Sequence, residues 1–355
     1  MSQPLRLFAV VGEQAGGPWV AAGDRLTELS GRGMTVNRAF LFLLNALMDE
    51  ITDYVLVHGA AVCLAGKGII IAGPPTAGKS TLVLELARQG ASFLSDDVAP
   101  LNRATGLLHR FPRAIGIRRE GGKVSRFDPA ALPADAVHEL AYKWLVDPVA
   151  LGLRLAGPEA SPCRLHAVIL LDSGETDPSS PGPETRPVRA TRSLEIALAE
   201  DDATMLAELR SIPGVGDVRA TGSDDSRPFP VYTFTAESSA RPMGPLADLA
   251  RRHRDLVLYM DESRGHTSDY QAPPVLRETQ WSSVLKELVR DLLNRSETGR
   301  LVASCHGLAG LMSEMGRLLQ GARVYRLRPG DPERTAMLVR EMATEDPGRM
   351  SSPSS

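Results

Sequence analysis

A phosphate-binding loop motif is the feature of this 355-residue chain that most narrows its fold. Residues 73–80, Gly-Pro-Pro-Thr-Ala-Gly-Lys-Ser, fit the pattern G-x-x-x-x-G-K-[ST]. They follow a β-branched run at 68–72 that is typical of a strand, and they precede an amphipathic run at 81–88 that is typical of a helix. Strand, loop and helix in this order are the context that the motif requires, so the sequence predicts an α/β phosphate site.

Each part of the loop has a predicted role in binding a nucleoside triphosphate. Glycine lets the backbone curl so that successive amides face one anion, and the N-terminus of the following helix adds partial positive charge. The Lys79 ammonium is expected to reach the β- and γ-phosphates, and the Ser80 hydroxyl to ligate Mg²⁺. The predicted nucleotide-binding residues are Gly73, Pro74, Pro75, Thr76, Ala77, Gly78, Lys79, Ser80 and Thr81.

An acidic pair, Asp96 and Asp97, ends a strand predicted at 91–95. One carboxylate can hold Mg²⁺, directly or through water, and the other can accept a proton from an attacking hydroxyl. Adjacent residues of an extended strand point to opposite faces, but this strand ends at the pair. The alternative interpretation is a solvated strand terminus, and the residues alone leave open which carboxylate would do which task.

Composition and charge exclude several classes of protein. The chain is 43% hydrophobic and 23% charged, which is ordinary for a globular protein, and its formal net charge of −3 gives no general attraction to nucleic acid or to an anionic membrane. No run approaches the roughly 20 apolar residues of a membrane span. The isolated cysteines Cys63, Cys163 and Cys305 form neither a disulfide framework nor a zinc motif. We expect a cytoplasmic protein without a nucleic-acid or membrane partner.

Hydrophobic patterns predict alternating strands and helices along the rest of the chain. Residues 54–64 read as one long strand that folds back through the turn at 65–68 onto the strand before the loop. Further strands are predicted at 5–11, 167–171, 231–235, 256–260 and 323–327, and helices at 36–51, 193–210, 281–294 and 306–320.

A longer stretch around the loop resembles a known protein family. Lys79 lies 21 residues after His58, and Asp97 lies 17 residues after Ser80. With this spacing, roughly residues 55–120 resemble the catalytic core of HPr kinase/phosphorylase, which has a phosphate-binding fold of the phosphoenolpyruvate carboxykinase type. The residues that carry the resemblance are His58, Gly59, Ala60, Gly73, Gly78, Lys79, Ser80, Leu84, Glu85, Leu86, Gly90, Asp96 and Asp97.

The resemblance implies an α/β fold with a phosphoenolpyruvate carboxykinase-like P-loop kinase core. We expect a short N-terminal β/α extension at 1–53 and a kinase-like domain with a C-terminal α/β extension at 54–345. Within that domain, proline and glycine at 172–187 predict a mobile loop, and residues 346–355 are expected to form a disordered tail.

The resemblance also implies roles for individual residues, with ATP and Mg²⁺ as cofactors. Ser80 would ligate the metal together with Asp96 or Asp97, and Asp97 would be the base. His58 would orient that carboxylate or the transferred phosphoryl group, although on its own pattern it reads as a buried core histidine. Arg113, within the family-like segment, is expected to clamp a phosphate or an acidic acceptor. The predicted catalytic set is therefore His58, Lys79, Asp97 and Arg113.

Two departures from the family narrow the expected function. Phe111 stands where the family places a metal-binding glutamate, and no counterpart of the family's Pro-Gly-Arg segment is present, so neither phosphorolysis nor HPr as substrate is expected. The leading hypothesis is phosphoryl transfer to a hydroxyl, on a serine of a peptide or protein. A small-metabolite kinase and a catalytically weak nucleotide-binding regulatory module are the alternatives, and a homo-oligomer stays open. A switch-type GTPase is disfavoured because no N-K-x-D-like motif is found.

Overall fold

The computed structural model of this chain describes most of the predicted core. Several predictions lie outside the described residues: those for Pro74, Pro75 and Thr76, for the loop after Asp172, and for the C-terminal tail. The described residues are 9–14, 17–22, 25–28, 43–44, 46–48, 51–73, 77–118, 127–140, 143–157, 161–172, 190–198, 201–221, 230–238, 244–253, 256–262, 272–293 and 299–344.

Strands outnumber helices among the described residues. The strands are β1 (Ala9–Gln14), β2 (Gly17–Ala22), β3 (Arg25–Glu28), β4 (Tyr54–His58), β5 (Ala60–Leu64), β6 (Lys67–Ala72), β7 (Ser92–Ser95), β8 (Val98–Asn102), β9 (Leu107–Leu108), β10 (Ile115–Arg118), β11 (Val137–Leu140), β12 (Lys143–Val146), β13 (Cys163–Leu171), β14 (Ala190–Leu198), β15 (Val215–Ala220), β16 (Val231–Ser238), β17 (Val257–Glu262), β18 (Val275–Glu278) and β19 (Arg323–Arg328). The helices are α1 (Lys79–Arg88), α2 (Ala203–Ser211), α3 (Gly244–Arg252), α4 (Trp281–Leu293), α5 (Gly299–Ser304), α6 (Leu308–Leu319) and α7 (Pro332–Thr344).

A nine-stranded mixed sheet forms the centre of the fold. Its main path runs β4-β8-β9-β13-β6-β5-β7, and β19 pairs with both β13 and β18. Strands β6, β13 and β19 are parallel neighbours, so their carboxyl ends lie at one edge of the sheet, where the predicted loop follows β6. Two smaller sheets, β1-β2-β3 and β10-β12-β11, are antiparallel.

Helices cover both faces of this sheet, which confirms the predicted mixed α/β class. Alternate residues of a strand face opposite sides, and β6 follows this rule. Ile70 belongs to a core cluster with residues of α4, α5 and α6. Ile69 and Ile71 belong to a second cluster with residues of α1 and α7. Because β6 is buried on both sides, its near-continuous apolar sequence is explained by its central position.

The strand predicted over 54–64 is divided at Gly59. Strand β4 pairs with β8, whereas β5 pairs with β6 and β7. A Cβ atom on Gly59 would lie 2.7 Å from the carbonyl oxygen of Ile71, so the strands approach too closely there for any other side chain. The bend places the end of β4 beside the acidic pair.

The described residues between 190 and 262 form a separate sheet with its own core. The element order is β14-α2-β15-β16-α3-β17, and the sheet order β15-β16-β14-β17 is antiparallel throughout, which is the ferredoxin-like arrangement. The helix predicted over 193–210 is therefore wrong in its first half. Leu194, Ile196 and Leu198 alternate on one buried face of β14, and the helix begins only at Ala203.

The C-terminal predictions agree with the structure more closely. Helix α4 occupies most of the predicted 281–294, and β19 covers the strand predicted at 323–327. The helix predicted over 306–320 is observed as α6, which begins at Leu308. None of the described helices is long and apolar enough to cross a membrane.

Candidate nucleotide and metal site

Two glycines shape the ends of the loop between β6 and α1. Gly73 has a φ of +147°, and a Cβ there would lie 2.9 Å from Cβ of Leu171. Gly78 has a φ of +95° and directly precedes the first turn of α1. Both backbone conformations are disfavoured for L side chains, so the motif glycines are required by the geometry of the turn.

The side chain of Lys79 is held inside this turn. Only 8% of the residue is exposed, and its ammonium group donates a hydrogen bond to the carbonyl oxygen of Gly73 at 2.8 Å. A lysine at the first position of α1 thereby reaches back to the start of the loop. The positive charge lies where the pattern predicts a phosphate group.

Ser80 and Asp96 are brought together by the fold. The Ser80 hydroxyl donates to Oδ1 of Asp96 at 2.9 Å, and the Gly116 amide of β10 donates to Oδ2 at 3.0 Å. Asp96 is 1% exposed. Burial raises the pKa of its carboxyl from 3.8 to about 6, and the Asp97 charge adds to this shift, whereas the Gly116 amide, the Arg113 charge and the Ser80 hydroxyl oppose it.

Asp97 lies at the centre of a three-residue turn between β7 and β8. The Val98 amide donates to the Asp96 carbonyl at 2.9 Å, and Asp97 has a φ of +63°, which together describe a γ-turn. The Asp97 carbonyl accepts from the Gly59 amide at 3.2 Å and lies 3.1 Å from Nδ1 of His58. His58 and Asp97 thus meet through a main-chain oxygen, and the implied role of His58 toward the carboxylate or the phosphoryl group stays a prediction. A carbonyl only accepts, so Nδ1 carries the proton.

Arg113 and Phe111 lie on the segment that leads into β10. Phe111 pairs through its main chain with β7, because its amide donates to the Leu94 carbonyl at 3.0 Å. The positive charge of Arg113 lowers the pKa of the Asp96 carboxyl and so opposes the effect of burial. The residue of this segment that reaches the acidic pair is Gly116, and it contributes a main-chain amide.

Two residues of the site, Ser95 and Gly116, are missed by the sequence reasoning. Ser95 is fully buried, and its hydroxyl donates to the Val98 carbonyl across the turn. A buried serine at a strand end carries no distinctive pattern in a single sequence. The contact of Gly116 with Asp96 joins positions 20 residues apart, which local periodicity does not report.

The oxygen atoms present fit a magnesium ion that arrives with phosphate. Hydroxyl and carboxylate oxygens are the ligands that Mg²⁺ prefers, and Ser80 and Asp96 offer them side by side. Among the residues that the structure describes, no group of three or more His, Cys, Asp or Glu side chains is placed to hold a metal alone. Magnesium sites of nucleotide enzymes commonly use one or two carboxylates plus phosphate oxygens, and this donor set matches that arrangement.

Fold and site together define a mixed α/β protein with a strand–loop–helix unit and an adjacent acidic turn. Three curated relatives are named HPr kinase/phosphorylase. The relative from Limosilactobacillus reuteri is 30% identical over 77 residues, 22% of this chain and 24% of the relative. That from Halalkalibacterium halodurans is 33% identical over 70 residues, covering 20% and 23%. That from Lactiplantibacillus plantarum is 33% identical over 79 residues, covering 22% and 25%.

The matched segment spans about a quarter of the length of these relatives. A solved structure of the HPr(Ser) kinase/phosphatase from Coxiella burnetii is 19% identical with a TM-score of 0.23, covering 39% of this chain and 76% of that one. No family model matches the chain. The curated relatives confirm the resemblance to HPr kinase/phosphorylase over the matched segment.

Proposed function

We propose that this chain is an HPr-kinase-related kinase that transfers the γ-phosphoryl group of ATP, with Mg²⁺, to a serine hydroxyl of a peptide or protein. Its core would be a phosphoenolpyruvate carboxykinase-like P-loop domain. One observation carries the proposal: Ser80, next to the buried Lys79, is hydrogen-bonded to Asp96, whose neighbour Asp97 contacts His58. The residues proposed to bind phosphate, to ligate the metal and to act as the base would thereby lie next to one another.

Binding of the triphosphate would rely on the loop and on Lys79. The main-chain amides of residues 73–81, except for Pro74 and Pro75, which have no N–H, would surround the phosphates, and the N-terminus of α1 would add its partial charge. Lys79 would exchange its bond to the Gly73 carbonyl for bonds to phosphate oxygens. Because the ammonium group is already buried at the loop, little reorganisation would accompany binding.

Ser80 and Asp96 would hold the magnesium ion, and Asp97 as a further ligand stays a prediction. Bound there, the ion would neutralise charge that develops on the phosphate oxygens. Burial raises the pKa of the Asp96 carboxyl to about 6, and a cation bound next to it would favour its charged form. Ser80 would turn from donor to Asp96 into a ligand through its oxygen.

Asp97 would take the proton of the acceptor hydroxyl as the serine oxygen attacks the γ-phosphorus. The bond between that phosphorus and the oxygen bridging to the β-phosphate would break, so that phosphoserine and ADP leave. Arg113, which lies near enough to Asp96 to influence its pKa, would position the γ-phosphate or an acidic group of the acceptor. Catalysis would consist mainly of positioning and charge neutralisation, as is general for phosphoryl transfer.

A second candidate is a catalytically weak, nucleotide-binding regulatory module. The observation that favours it is Phe111, which stands where HPr kinase/phosphorylase has a metal-binding glutamate and pairs with β7 through its main chain. A site with fewer acidic ligands than that family has would hold the metal more weakly and would transfer the phosphoryl group more slowly. A kinase of a small hydroxyl-bearing metabolite would use the same residues with a different acceptor.

Labelled ATP and a pool of serine-containing peptides test the proposal. The full chain is incubated with [γ-³²P]ATP, Mg²⁺ and the pool, and phosphopeptides are identified by mass spectrometry. The matched controls are Lys79→Ala, which should lose binding, and Asp97→Asn, which should bind ATP without transfer. Transfer to serine that depends on both residues supports the kinase. Binding of Mg²⁺–ATP without transfer to any peptide or small alcohol would favour the regulatory module.

A further inference from the structure

The turn that carries Asp97 has an unusual backbone geometry. It closes over only three residues, because the Val98 amide donates to the Asp96 carbonyl at 2.9 Å. The φ of Asp97 is +63°, in the left-handed region that aspartate enters more readily than most residues but that still costs free energy. A γ-turn with positive φ is rare and strained, so the surrounding structure has to hold it.

Further hydrogen bonds hold this turn, and one of them is the Ser95 hydroxyl donating to the Asp96 carbonyl at 3.4 Å. The Gly59 amide and the His58 ring both donate to the Asp97 carbonyl, at 3.2 Å and 3.1 Å. The Ser95 hydroxyl donates to the Val98 carbonyl on the far side of the turn. His58 ends β4 opposite the turn, Gly59 follows it, and Ser95 precedes the turn on β7. The turn is therefore fixed from both strands.

Burial makes these bonds hard to replace. Ser95 is completely inaccessible, and His58 is 9% exposed, so water has little access to substitute for either donor. If one donor is removed, a buried carbonyl loses a partner and the strained φ loses a constraint. Relaxation of Asp97 toward ordinary backbone geometry would redirect its side chain, since φ rotation moves the Cβ.

We infer that Ser95 is a positioning residue: together with His58, whose orienting role the family resemblance already implies, it holds Asp97 in the γ-turn and thereby aims the Asp97 carboxylate at the acceptor hydroxyl. This inference rests on the proposed kinase function. His58 would act through the N–H at Nδ1, and Ser95 through its hydroxyl. Neither residue has to touch the nucleotide. A displacement of about 1 Å at a reacting group can cost roughly 10²-fold in rate, so a modest relaxation of the turn has a measurable effect.

Four variants of the full chain test this assignment. Ser95→Ala and His58→Ala each remove one donor from the turn. His58→Asn keeps an N–H near the position of Nδ1 and serves as the conservative variant. Ser92→Ala removes another buried hydroxyl of β7 without touching the turn, and it serves as the control. The measurements are phosphoryl transfer to the serine-peptide pool, Mg²⁺–ATP affinity by calorimetry, and hydrogen exchange of the Gly59 and Val98 amides.

We expect Ser95→Ala and His58→Ala to slow transfer by roughly 10- to 10²-fold while the Kd for Mg²⁺–ATP stays within about 2-fold. Exchange at Gly59 and Val98 should accelerate in both variants. His58→Asn should recover most of the rate and the amide protection, and Ser92→Ala should match wild type. A purely structural role would not produce recovery in His58→Asn together with constant nucleotide affinity.

Three results would overturn the inference. The first is a rate of phosphoryl transfer equal to that of wild type in both alanine variants, whether or not amide exchange accelerates. The second is a His58→Asn variant as slow as His58→Ala, and the third is unchanged exchange at both amides. If wild type transfers no phosphate to any acceptor, the proposed function fails instead. In that case the exchange data still decide whether Ser95 and His58 hold the turn. If Ser95→Ala does not fold, the comparison of His58→Ala with His58→Asn decides this alone.

Discussion

The Ser80 hydroxyl lies 2.9 Å from Oδ1 of Asp96 and joins the first turn of α1 to the acidic turn between β7 and β8. The two motifs recognised in the sequence therefore form one unit in space. Asp96 is buried and accepts a second hydrogen bond from Gly116, so its position is fixed on both oxygens. A substitution in either motif is expected to affect the other.

Replacement of Lys79 tests nucleotide binding. Lys79→Ala removes the buried ammonium group that now donates to the Gly73 carbonyl. A charge-assisted hydrogen bond contributes about 1.5–3 kcal/mol, so the affinity for Mg²⁺–ATP should fall by roughly 10- to 10²-fold. Calorimetry measures the change, and Lys286→Ala on the exposed face of α4 is the control. Equal ATP affinity in Lys79→Ala and wild type would exclude this loop as the triphosphate site.

Replacement of Ser80 tests the metal. Ser80→Ala removes one oxygen ligand and the hydrogen bond to Asp96 but little volume. The Mg²⁺ concentration for half-maximal ATP binding should rise by roughly 10-fold, with a melting temperature close to that of wild type. Ser282→Ala, at an exposed position of α4, provides the comparison. An identical Mg²⁺ titration in Ser80→Ala would show that this hydroxyl is not a ligand.

The two aspartates are expected to separate by function. Asp97→Asn keeps the shape of the side chain and tolerates positive φ, but it takes no proton, so transfer should fall by about 10²–10⁴-fold with nearly constant ATP affinity. Asp96→Asn should instead raise the Mg²⁺ requirement. Initial rates and Mg²⁺ titrations on both variants distinguish these effects. Equal transfer by wild type and Asp97→Asn would refute the assignment of the base.

An ion pair away from the site predicts acid sensitivity of the fold. Arg103 donates to both carboxylate oxygens of Glu314, at 2.7 Å and 2.8 Å, and to the Thr52 carbonyl at 2.9 Å. Its guanidinium holds the pKa of Glu314 below the ordinary value of 4.5. The stabilisation is therefore complete above the unfolded pKa and is lost as the pH falls through the lower, folded value.

Glu314→Gln tests this linkage. The variant should lower the free energy of unfolding at pH 7, and the difference from wild type should shrink as the pH falls below about 4.5. Urea unfolding of both proteins between pH 7 and pH 3 measures this difference in the free energy of unfolding. Glu341→Gln, at an exposed position of α7, is the control. A difference that stays constant over this pH range would contradict the role of the Arg103 pair.

Local patterns were sufficient for the strand–loop–helix unit and for several flanking elements. The run ending at Ala72, the glycines at 73 and 78 and the apolar spacing of α1 are all properties of neighbouring residues. Helix α4 and strand β19 were predicted for the same reason. The pattern of β14 predicts a helix wrongly, because a short stretch of Leu, Ile and Ala fits both the helical and the strand period.

The loop, the acidic pair and their spacing from His58 can all be recognised in the amino-acid sequence alone. How these residues meet in space depends on the tertiary structure. The Asp97 carbonyl faces a histidine 39 residues away, Asp96 accepts from Gly116, and Ser95 closes the turn. These contacts depend on the bend at Gly59 and on strand register, which are set by packing between distant segments. A linear pattern records which side chains are present, whereas the φ of Asp97 and the donors that hold it arise from close approach of separate strands.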